Sequence, residues 1–127
     1  MPSPLQHNTK YLANIGFVNS DDLAKNHKEW YVTGVFYVVL HLIEEYLVIY
    51  KSKHTINHKD RLEEVRTDSK LKNIFDDYNT IYHESLKARY YPKVFSDDDI
   101  EVINECYDEI EKYLKPLVES KLSRFKE

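Results

Sequence analysis

One long apolar segment, at residues 29–50, dominates the hydrophobic pattern of this sequence, EWYVTGVFYVVLHLIEEYLVIY. At 3.6 residues per turn its apolar side chains form two stripes along a helix. These stripes are Val32, Phe36, Val39, Ile43, Leu47 and Tyr50, and Tyr31, Val35, Val38, Leu42, Tyr46 and Ile49. A helix that is apolar on two sides must cover both, inside its own domain or against another chain. We therefore predict a central core helix with one flank facing a partner.

The same segment is long enough to span a bilayer, but three polar residues, His41, Glu44 and Glu45, lie at its centre. An acidic residue in mid-membrane costs roughly 2.5–3.5 kcal/mol on insertion scales. The N-terminal residues MPSPLQHNTK contain no apolar signal core, and the single cysteine, Cys106, fits a reducing compartment. These features predict a cytoplasmic protein without a membrane segment, in which Cys106 serves packing.

The composition favours an all-α fold. The chain has 127 residues but only two glycines and four prolines, which is too little turn chemistry for many short strands. We predict one domain over 1–127, an antiparallel bundle of four or five helices, with 1–4 and 119–127 frayed. The predicted helices cover about 5–18, 21–51, 58–66 and 69–90, and a last helix begins after Ser96 and is kinked or nearly ended by Pro116.

The helix starts carry recognisable capping residues. Asn19 or Ser20 is expected to cap the central helix, and Asn57 the short one. Thr67 or Asp68 is expected to cap the next. In the first helix the predicted buried stripe is Leu5, Leu12 and Ile15, and in the last it is Ile100, Ile103, Tyr107, Ile110, Leu114 and Leu117.

Several polar residues share helix faces with the apolar stripes. The central helix has Tyr37, His41 and Glu44, the short helix has His58 and Arg61, and the following helix has Tyr78, Tyr82, Ser85 and Arg89. A buried polar group without a partner costs on the order of 1–3 kcal/mol, so these side chains are expected to meet, in a cluster or around a ligand.

A purely structural interpretation of each residue also exists. His41 is then a hydrogen-bonded core histidine, and Glu44 and Glu45 form ion pairs with Arg61 or Arg89. His58 and Arg61 would belong to a solvated face. Arg89 would be a cation at a helix C-terminus.

Other chemistries lack their motifs. A di-iron bundle needs Glu-x-x-His on two helices, whereas this chain has only the reverse order, from His41 to Glu44. It contains no HExxH, zinc-binding cysteine set, phosphate-cradling glycine loop or GxSxG. We therefore predict no metal and no cofactor. The net charge of −4 argues against broad nucleic-acid binding but allows a local basic groove.

Three segments resemble the HEPN family (higher eukaryotes and prokaryotes nucleotide-binding domains). They are residues 30–37 with His41 and Glu44, residues 58–61, and residues 78–90. The resemblance implies a helical bundle that dimerises and binds nucleotides or RNA. Many members are metal-independent ribonucleases of toxin and defence systems, and others accompany a small nucleotidyltransferase. The ribonuclease members carry Arg, four to six residues, then His, whereas here His58 precedes Arg61.

The leading functional hypothesis is a HEPN-like dimeric module that binds a nucleotide or single-stranded RNA. Arg61 and Arg89 would contact phosphate, and Tyr90 or Tyr91 would stack on a base. The other side chains expected to line the groove are Tyr37, His41, Glu44, His58, Tyr82 and Ser85.

Two alternatives remain open. One is metal-independent RNA cleavage, with His58 or His41 as general base and Arg61 or Arg89 stabilising the pentavalent phosphate. The other is a protein-interaction module in which the polar cluster only forms buried hydrogen bonds.

Overall fold

A computed structural model describes residues 3–19, 23–91 and 93–122 as helices joined by short connections. The helices are α1 (Pro4–Val18), α2 (Leu23–Asn26), α3 (Lys28–Lys51), α4 (His58–Thr67), α5 (Phe75–Tyr90) and α6 (Asp97–Leu122), and a 3₁₀ turn (Leu71–Ile74) precedes α5. No strand occurs among these residues, so the predicted all-α bundle is confirmed. It has six helices rather than four or five.

Helix α3 lies at the centre of the bundle. Helix α1 packs along one side of it, and α5 and α6 pack along others. Both apolar stripes of α3 are buried within this one chain, except that Ile49 and Tyr50 are half-buried. The stripes therefore give no reason to invoke a partner, and the homodimer stays a prediction. By length and composition alone α3 would suffice to cross a membrane, but most of it is buried inside the bundle.

The central helix begins later than predicted. Helix α2 ends at Asn26, and His27 interrupts the helix with φ −139° and ψ 63°, so α3 starts only at Lys28. Asn19 follows the C-terminus of α1 instead of capping α3, while residues 20–22 lie outside the described residues. No proline or glycine marks the break at His27, so local sequence offered no signal for it.

Two of the three predicted caps are confirmed. The Asn57 side chain accepts the amide of Asp60 at 2.8 Å, and Ser96 Oγ accepts the amide of Asp99 at 3.1 Å. The carboxylate of Asp68 accepts the amides of Lys70 and Leu71, each at 3.0 Å. These bonds precede the 3₁₀ turn at Leu71, whereas α5 begins at Phe75 after Ile74, which makes no side-chain cap bond. The predicted cap of a helix from residue 69 by Thr67 or Asp68 is therefore wrong.

Both chain ends are more regular than expected. Ser3 caps α1 through a capping box with Gln6, and Pro4 is its first residue, so 3–4 belong to a helix terminus rather than a frayed tail. Helix α6 continues past Pro116 to Leu122, so Pro116 does not nearly end it, and the alternative, a kink, stays a prediction. Pro116 is exposed. Proline lacks the N–H that would bond to the carbonyl one turn earlier, and on the solvent side of a helix that carbonyl can bond to water instead. Residues 1–2 and 123–127 lie outside the described residues.

Apart from two half-buried residues, the predicted stripe of α6 is correct, whereas in α1 Leu5 and Ile15 are half-buried and Leu12 is wrong. Tyr107 and Leu117 of α6 are half-buried, and Cys106 is buried as predicted. In α1 Leu12 is 56% exposed, and the buried face consists of Pro4, His7, Tyr11 and Val18.

The close approach of α1 to α3 depends on Gly34. A Cβ atom at this position would lie 2.5 Å from Cγ1 of Val18. The Tyr11 hydroxyl donates to the Glu111 carboxylate of α6 and so keeps the polar face of α1 turned inward. This orientation carries His7 into the interior of the bundle.

Candidate functional site

Six polar side chains form a continuous series of contacts through the bundle, which we call the polar network. In order of contact they are His41, His7, His54, Glu44, Arg61 and His58. The residues come from α1, α3, α4 and the connection after α3. The predicted meeting of polar groups from α3 and α4 is therefore confirmed, and α1 and a loop add members that were not predicted.

Glu44 is the centre of the polar network, with a side chain only 4% exposed. Its Oε1 accepts from Arg61 Nε at 3.0 Å and from the Thr55 hydroxyl. Its Oε2 accepts from the Thr55 amide at 3.3 Å and lies 3.1 Å from Nδ1 of His54. Burial raises the pKa of Glu44, but the hydrogen bonds from Thr55 and Arg61 outweigh it, so the pKa is lowered and the carboxylate is charged.

Arg61 links Glu44 to His58. It is buried, and its Nη1 lies 2.9 Å from Nδ1 of His58. A guanidinium can only donate, so His58 Nδ1 accepts, and the proton of the neutral ring is on Nε2. Burial, together with the charges of Arg61 and Arg89, lowers the pKa of His58, which is therefore neutral at pH 7.

Three histidines meet at the other end of the polar network. His7 Nδ1 lies 3.2 Å from His41 Nδ1, and His7 Nε2 lies 3.3 Å from both ring nitrogens of His54. Burial, followed by the charges of His54 and His41, lowers the pKa of His7 to about 4. Burial and the nearby Lys10 also lower the pKa of His41. His7 and His41 are therefore neutral at pH 7, with nitrogen lone pairs available.

Arg89 lies among aromatic rings at the end of α5. Its guanidinium carbon is 5.2 Å from the ring centres of Phe36 and Tyr90 and 6.0 Å from that of Tyr37. Ser85 fixes it, because Arg89 Nε donates to the Ser85 carbonyl and Nη2 to Oγ, each at 3.2 Å. An open groove of about 420 Å³, the Arg89 groove, is lined by Glu29, Trp30, Thr33, Ala88 and Arg89.

Phe36 connects the Arg89 groove to the polar network. Its ring centre lies 5.4 Å from the ring of His58 and 5.8 Å from that of Tyr82, and Arg89 contacts it as well. The buried hydroxyl of Tyr78 lies beneath this set, and burial raises its pKa to about 12 against the effect of Arg61. His58, Tyr82 and Arg89 thus surround one phenyl ring, as the predicted cluster required.

The predicted site residues divide by burial. Glu44, Arg61 and Ser85 are buried, with exposed fractions of 3%, 7% and 0%, and their direct contact with a nucleotide stays a prediction. Glu44 pairs with Arg61, as the structural interpretation predicted. The half-buried residues are Tyr37, His41, His58, Tyr82 and Arg89, and Tyr90 is exposed. His41 and His58 have no direct contact and lie at opposite ends of the polar network.

Sequence reasoning missed His7, His54 and Thr55. A signal for His7 existed, because Pro4, His7, Tyr11 and Val18 follow the spacing of one helix face. His54 and Thr55 belong to the connection between α3 and α4, where no periodicity indicates which side chains turn inward.

Comparison of the chain with protein-family models, with curated proteins and with solved structures finds no match. The HEPN resemblance therefore stays a prediction, and the geometry of the site has to carry the functional interpretation.

Proposed function

We propose that this protein is a HEPN-like module that binds a nucleotide or a short stretch of single-stranded RNA in the Arg89 groove. One observation carries the proposal. A guanidinium fixed by Ser85 lies among aromatic rings, beside two large aromatic side chains that remain solvent-exposed, Trp30 at 58% and Tyr90 at 71%.

The chemistry of Arg89 suits a phosphate. Arginine has five N–H donors in a fixed fork that matches phosphate oxygens. Among the described residues, hydrogen bonds from Arg89 go to Ser85, and no carboxylate pairs with it. A fixed guanidinium also loses less entropy on binding than a mobile one.

The aromatic side chains beside Arg89 suit a nucleobase. Stacking of a base on an aromatic ring contributes about 1–3 kcal/mol per base and tolerates any sequence. Trp30 lines the groove, and the ring of Tyr90 contacts Arg89. A cation that contacts one exposed ring and lines a groove with another therefore favours a phosphate with its neighbouring bases over an apolar peptide.

The state of His58 favours binding over cleavage. A general base needs a lone pair directed at the substrate hydroxyl. Nδ1 of neutral His58 already accepts from Arg61, and Nε2 carries the proton. His58 is thus prepared to donate a hydrogen bond to a ligand oxygen, while His41, the other predicted base, lies at the far end of the polar network.

The test is fluorescence anisotropy with a labelled, mixed-sequence single-stranded RNA of roughly ten nucleotides, a length in the range that single-strand binding folds cover. We expect Arg89→Ala to weaken binding about 10- to 100-fold, the equivalent of a lost charged hydrogen bond. Arg66→Ala is the matched control, since Arg66 is exposed on α4 and pairs with Glu63. It should bind as the wild type does. Equal affinity of the Arg89→Ala and wild-type proteins would overturn the proposal.

Two further arms sharpen this test. Competition by unlabelled ATP distinguishes a free-nucleotide site from one that requires a strand. Gel analysis of the same RNA, incubated without metal, should show it intact. Cleavage by the wild type that disappears in His58→Ala would instead support the ribonuclease alternative.

The groove also contains an unfavourable charge, which gives an independent check. Glu29 is exposed and lines the groove beside Trp30. Its carboxylate should repel phosphate, so Glu29→Gln is expected to tighten RNA binding a few-fold, most clearly at low salt. The same substitution should leave binding unchanged if the ligand is uncharged.

The proposal includes the partners that the resemblance implies, a homodimer and a nucleotidyltransferase. Sedimentation of the purified chain tests the first, and copurification with a co-expressed nucleotidyltransferase tests the second.

A further inference from the structure

We propose that His7, Glu44 and His54 form a binding site for Zn²⁺ inside the bundle. One ring nitrogen from each histidine and one carboxylate oxygen all lie within 4.8 Å of one another. His7 and Glu44 are buried, and His54 is half-buried in the connection that follows α3. This donor set is separate from the Arg89 groove and does not depend on RNA binding.

The spacing of the donors matches a tetrahedral ion. Zinc bonds to nitrogen and oxygen of about 2.0–2.1 Å place neighbouring ligands of a tetrahedron roughly 3.3 Å apart. His7 Nε2 lies 3.3 Å from the ring nitrogens of His54, and His54 Nδ1 lies 3.1 Å from Glu44 Oε2. The third pair, His7 and Glu44, has donor atoms within 4.8 Å of each other, so these two side chains would approach each other when the ion binds.

The surrounding residues orient these ligands as metal sites require. A metal-binding histidine is usually held through its other ring nitrogen, and a metal-binding carboxylate through its other oxygen. Here His7 Nδ1 lies 3.2 Å from Nδ1 of His41. Oxygen Oε1 of Glu44 accepts from Arg61 and from the Thr55 hydroxyl, while Oε2 is on the His54 side.

The chemistry of the site favours zinc over the hard ions Mg²⁺ and Ca²⁺. Two imidazoles and one carboxylate form a common zinc set that keeps a fourth position for water. Mg²⁺ and Ca²⁺ require mostly oxygen ligands. Arg61 also offsets the charge of Glu44, which further disfavours ions that depend on carboxylates.

A cavity borders the proposed site at His7. It has a volume of about 420 Å³ and is lined by Gln6, His7, Thr9, Lys10 and His41. His7 therefore lies between the cavity and the other two ligands. The cavity is also large enough to hold a water molecule in the fourth coordination position.

The sequence prediction of no metal rested on motifs within single helices. The three ligands come from α1, from α3 and from the loop after it, at separations of 37 and 10 residues in the chain. No fixed spacing could reveal such a set, because its geometry depends on how α1 docks.

The test is calorimetric titration of ZnCl₂ into the full chain, without an affinity tag and after treatment with EDTA. We expect one Zn²⁺ per chain and no uptake of Mg²⁺. Co²⁺ should replace Zn²⁺ and give the intense visible absorption of a tetrahedral centre, a signal that a merely structural role of the histidines would not produce. A wild type that takes up no Zn²⁺ would overturn the proposal.

Variants locate the ion. His54→Ala removes a ligand from a half-exposed loop, so the fold should survive while Zn²⁺ binding and the Co²⁺ absorption are lost. His41→Ala, which frees His7 Nδ1, should weaken binding about 10- to 100-fold. His83→Ala, at an exposed histidine of α5 bonded to the Asn79 carbonyl, is the matched control and should bind normally. Wild-type stoichiometry and absorption in both His54→Ala and His7→Ala would place the ion elsewhere and overturn the assignment.

Discussion

Two buried carboxylates, Glu44 and Asp68, lie in very different surroundings. The carboxylate of Asp68 is bound by Lys51 Nζ at 2.7 Å, by the Tyr46 hydroxyl at 2.9 Å and by two backbone amides at the start of the 3₁₀ turn. That of Glu44 is bound by Arg61 and by the amide and hydroxyl of Thr55, and it lies against a histidine.

The difference shows that a buried carboxylate, which is costly to desolvate, can serve either as a structural link or as the centre of a functional site. Burial raises the pKa of Asp68, but its donors keep their protons throughout the neutral range and lower the pKa to about 2. Asp68 therefore joins the end of α3 to the start of the α5 region as a permanent connection. The imidazole beside Glu44 can donate, accept or bind a metal. Glu44 is therefore the centre of a site whose chemistry can change.

The largest effect is expected at Glu44. Substitution by Ala leaves the buried Arg61 guanidinium without its counter-charge, which costs about 3–5 kcal/mol. Urea unfolding of Glu44→Ala measures the loss. Glu64→Ala is the control, since its carboxylate pairs with the partly exposed Lys53, and it should lose less than about 1 kcal/mol. Similar losses in the two variants would show that burial does not distinguish these ion pairs.

The second largest loss of stability is expected from disturbing the packing of α1 on α3. Helix α1 carries His7, which belongs to the surroundings of Glu44. Gly34→Ala would place a methyl group 2.5 Å from Cγ1 of Val18 and cost about 1–3 kcal/mol through overpacking. Gly16→Ala is the matched control, because a Cβ at that exposed helical position meets nothing within 4 Å. It should stabilise the fold by about 0.5–1 kcal/mol. Thermal unfolding measures both variants. Midpoint temperatures that shift in the same direction in Gly34→Ala and Gly16→Ala would contradict this packing.

The smallest loss of stability is expected at Asp68, and it should depend on pH. The pKa of Asp68 is lower in the folded chain, about 2, than its ordinary value of 3.8, so its contribution is complete above about pH 4 and is lost as the pH falls toward 2. We expect Asp68→Asn to cost roughly 1–2 kcal/mol at pH 7, the low end because Lys51 is partly exposed.

Denaturant unfolding between pH 7 and pH 3 measures this dependence. The gap between the wild type and Asp68→Asn should narrow below pH 4. Asp108→Asn, at an exposed position of α6, should give no such trend. A gap that stays constant down to pH 3 would mean that Asp68 is not stabilised as a charged group.

Most of the fold could be predicted from the sequence because helix periodicity and capping are local. Asn57 and Ser96 show this clearly, since each cap forms with an amide three residues away. The break at His27 and the continuation of α6 past Pro116 could not be predicted. Both depend on whether a backbone position faces solvent or a neighbouring helix, which no short window of sequence records.

The residues of the candidate site that lie on predicted helix faces could be predicted from the sequence, whereas the loop residue could not. Glu44 and Arg61 each lie on a predicted helix face, and their ion pair was among the expected ones. His54 comes from a loop, and His7 from a helix face that was assigned to the wrong residues. Arg61 is buried, and this burial depends on packing between helices that no helix pattern records. The phosphate contact expected of it stays a prediction, and the proposal assigns that contact to Arg89.

The bond from Tyr11 in α1 to Glu111 in α6 also bears on the order in which the protein folds. It joins residues 100 positions apart, whereas α1 and α3 are near neighbours in sequence. Closing so large a loop costs more chain entropy than pairing adjacent helices. Contacts between α1 and α3 should therefore form before the hydrogen bond from Tyr11 to Glu111 of α6. The histidines of α1 and α3 would then meet while the bundle is still open. Hydrogen exchange would show this as amides of α1 and α3 that open together, in larger fluctuations than the amides of α6 near Glu111.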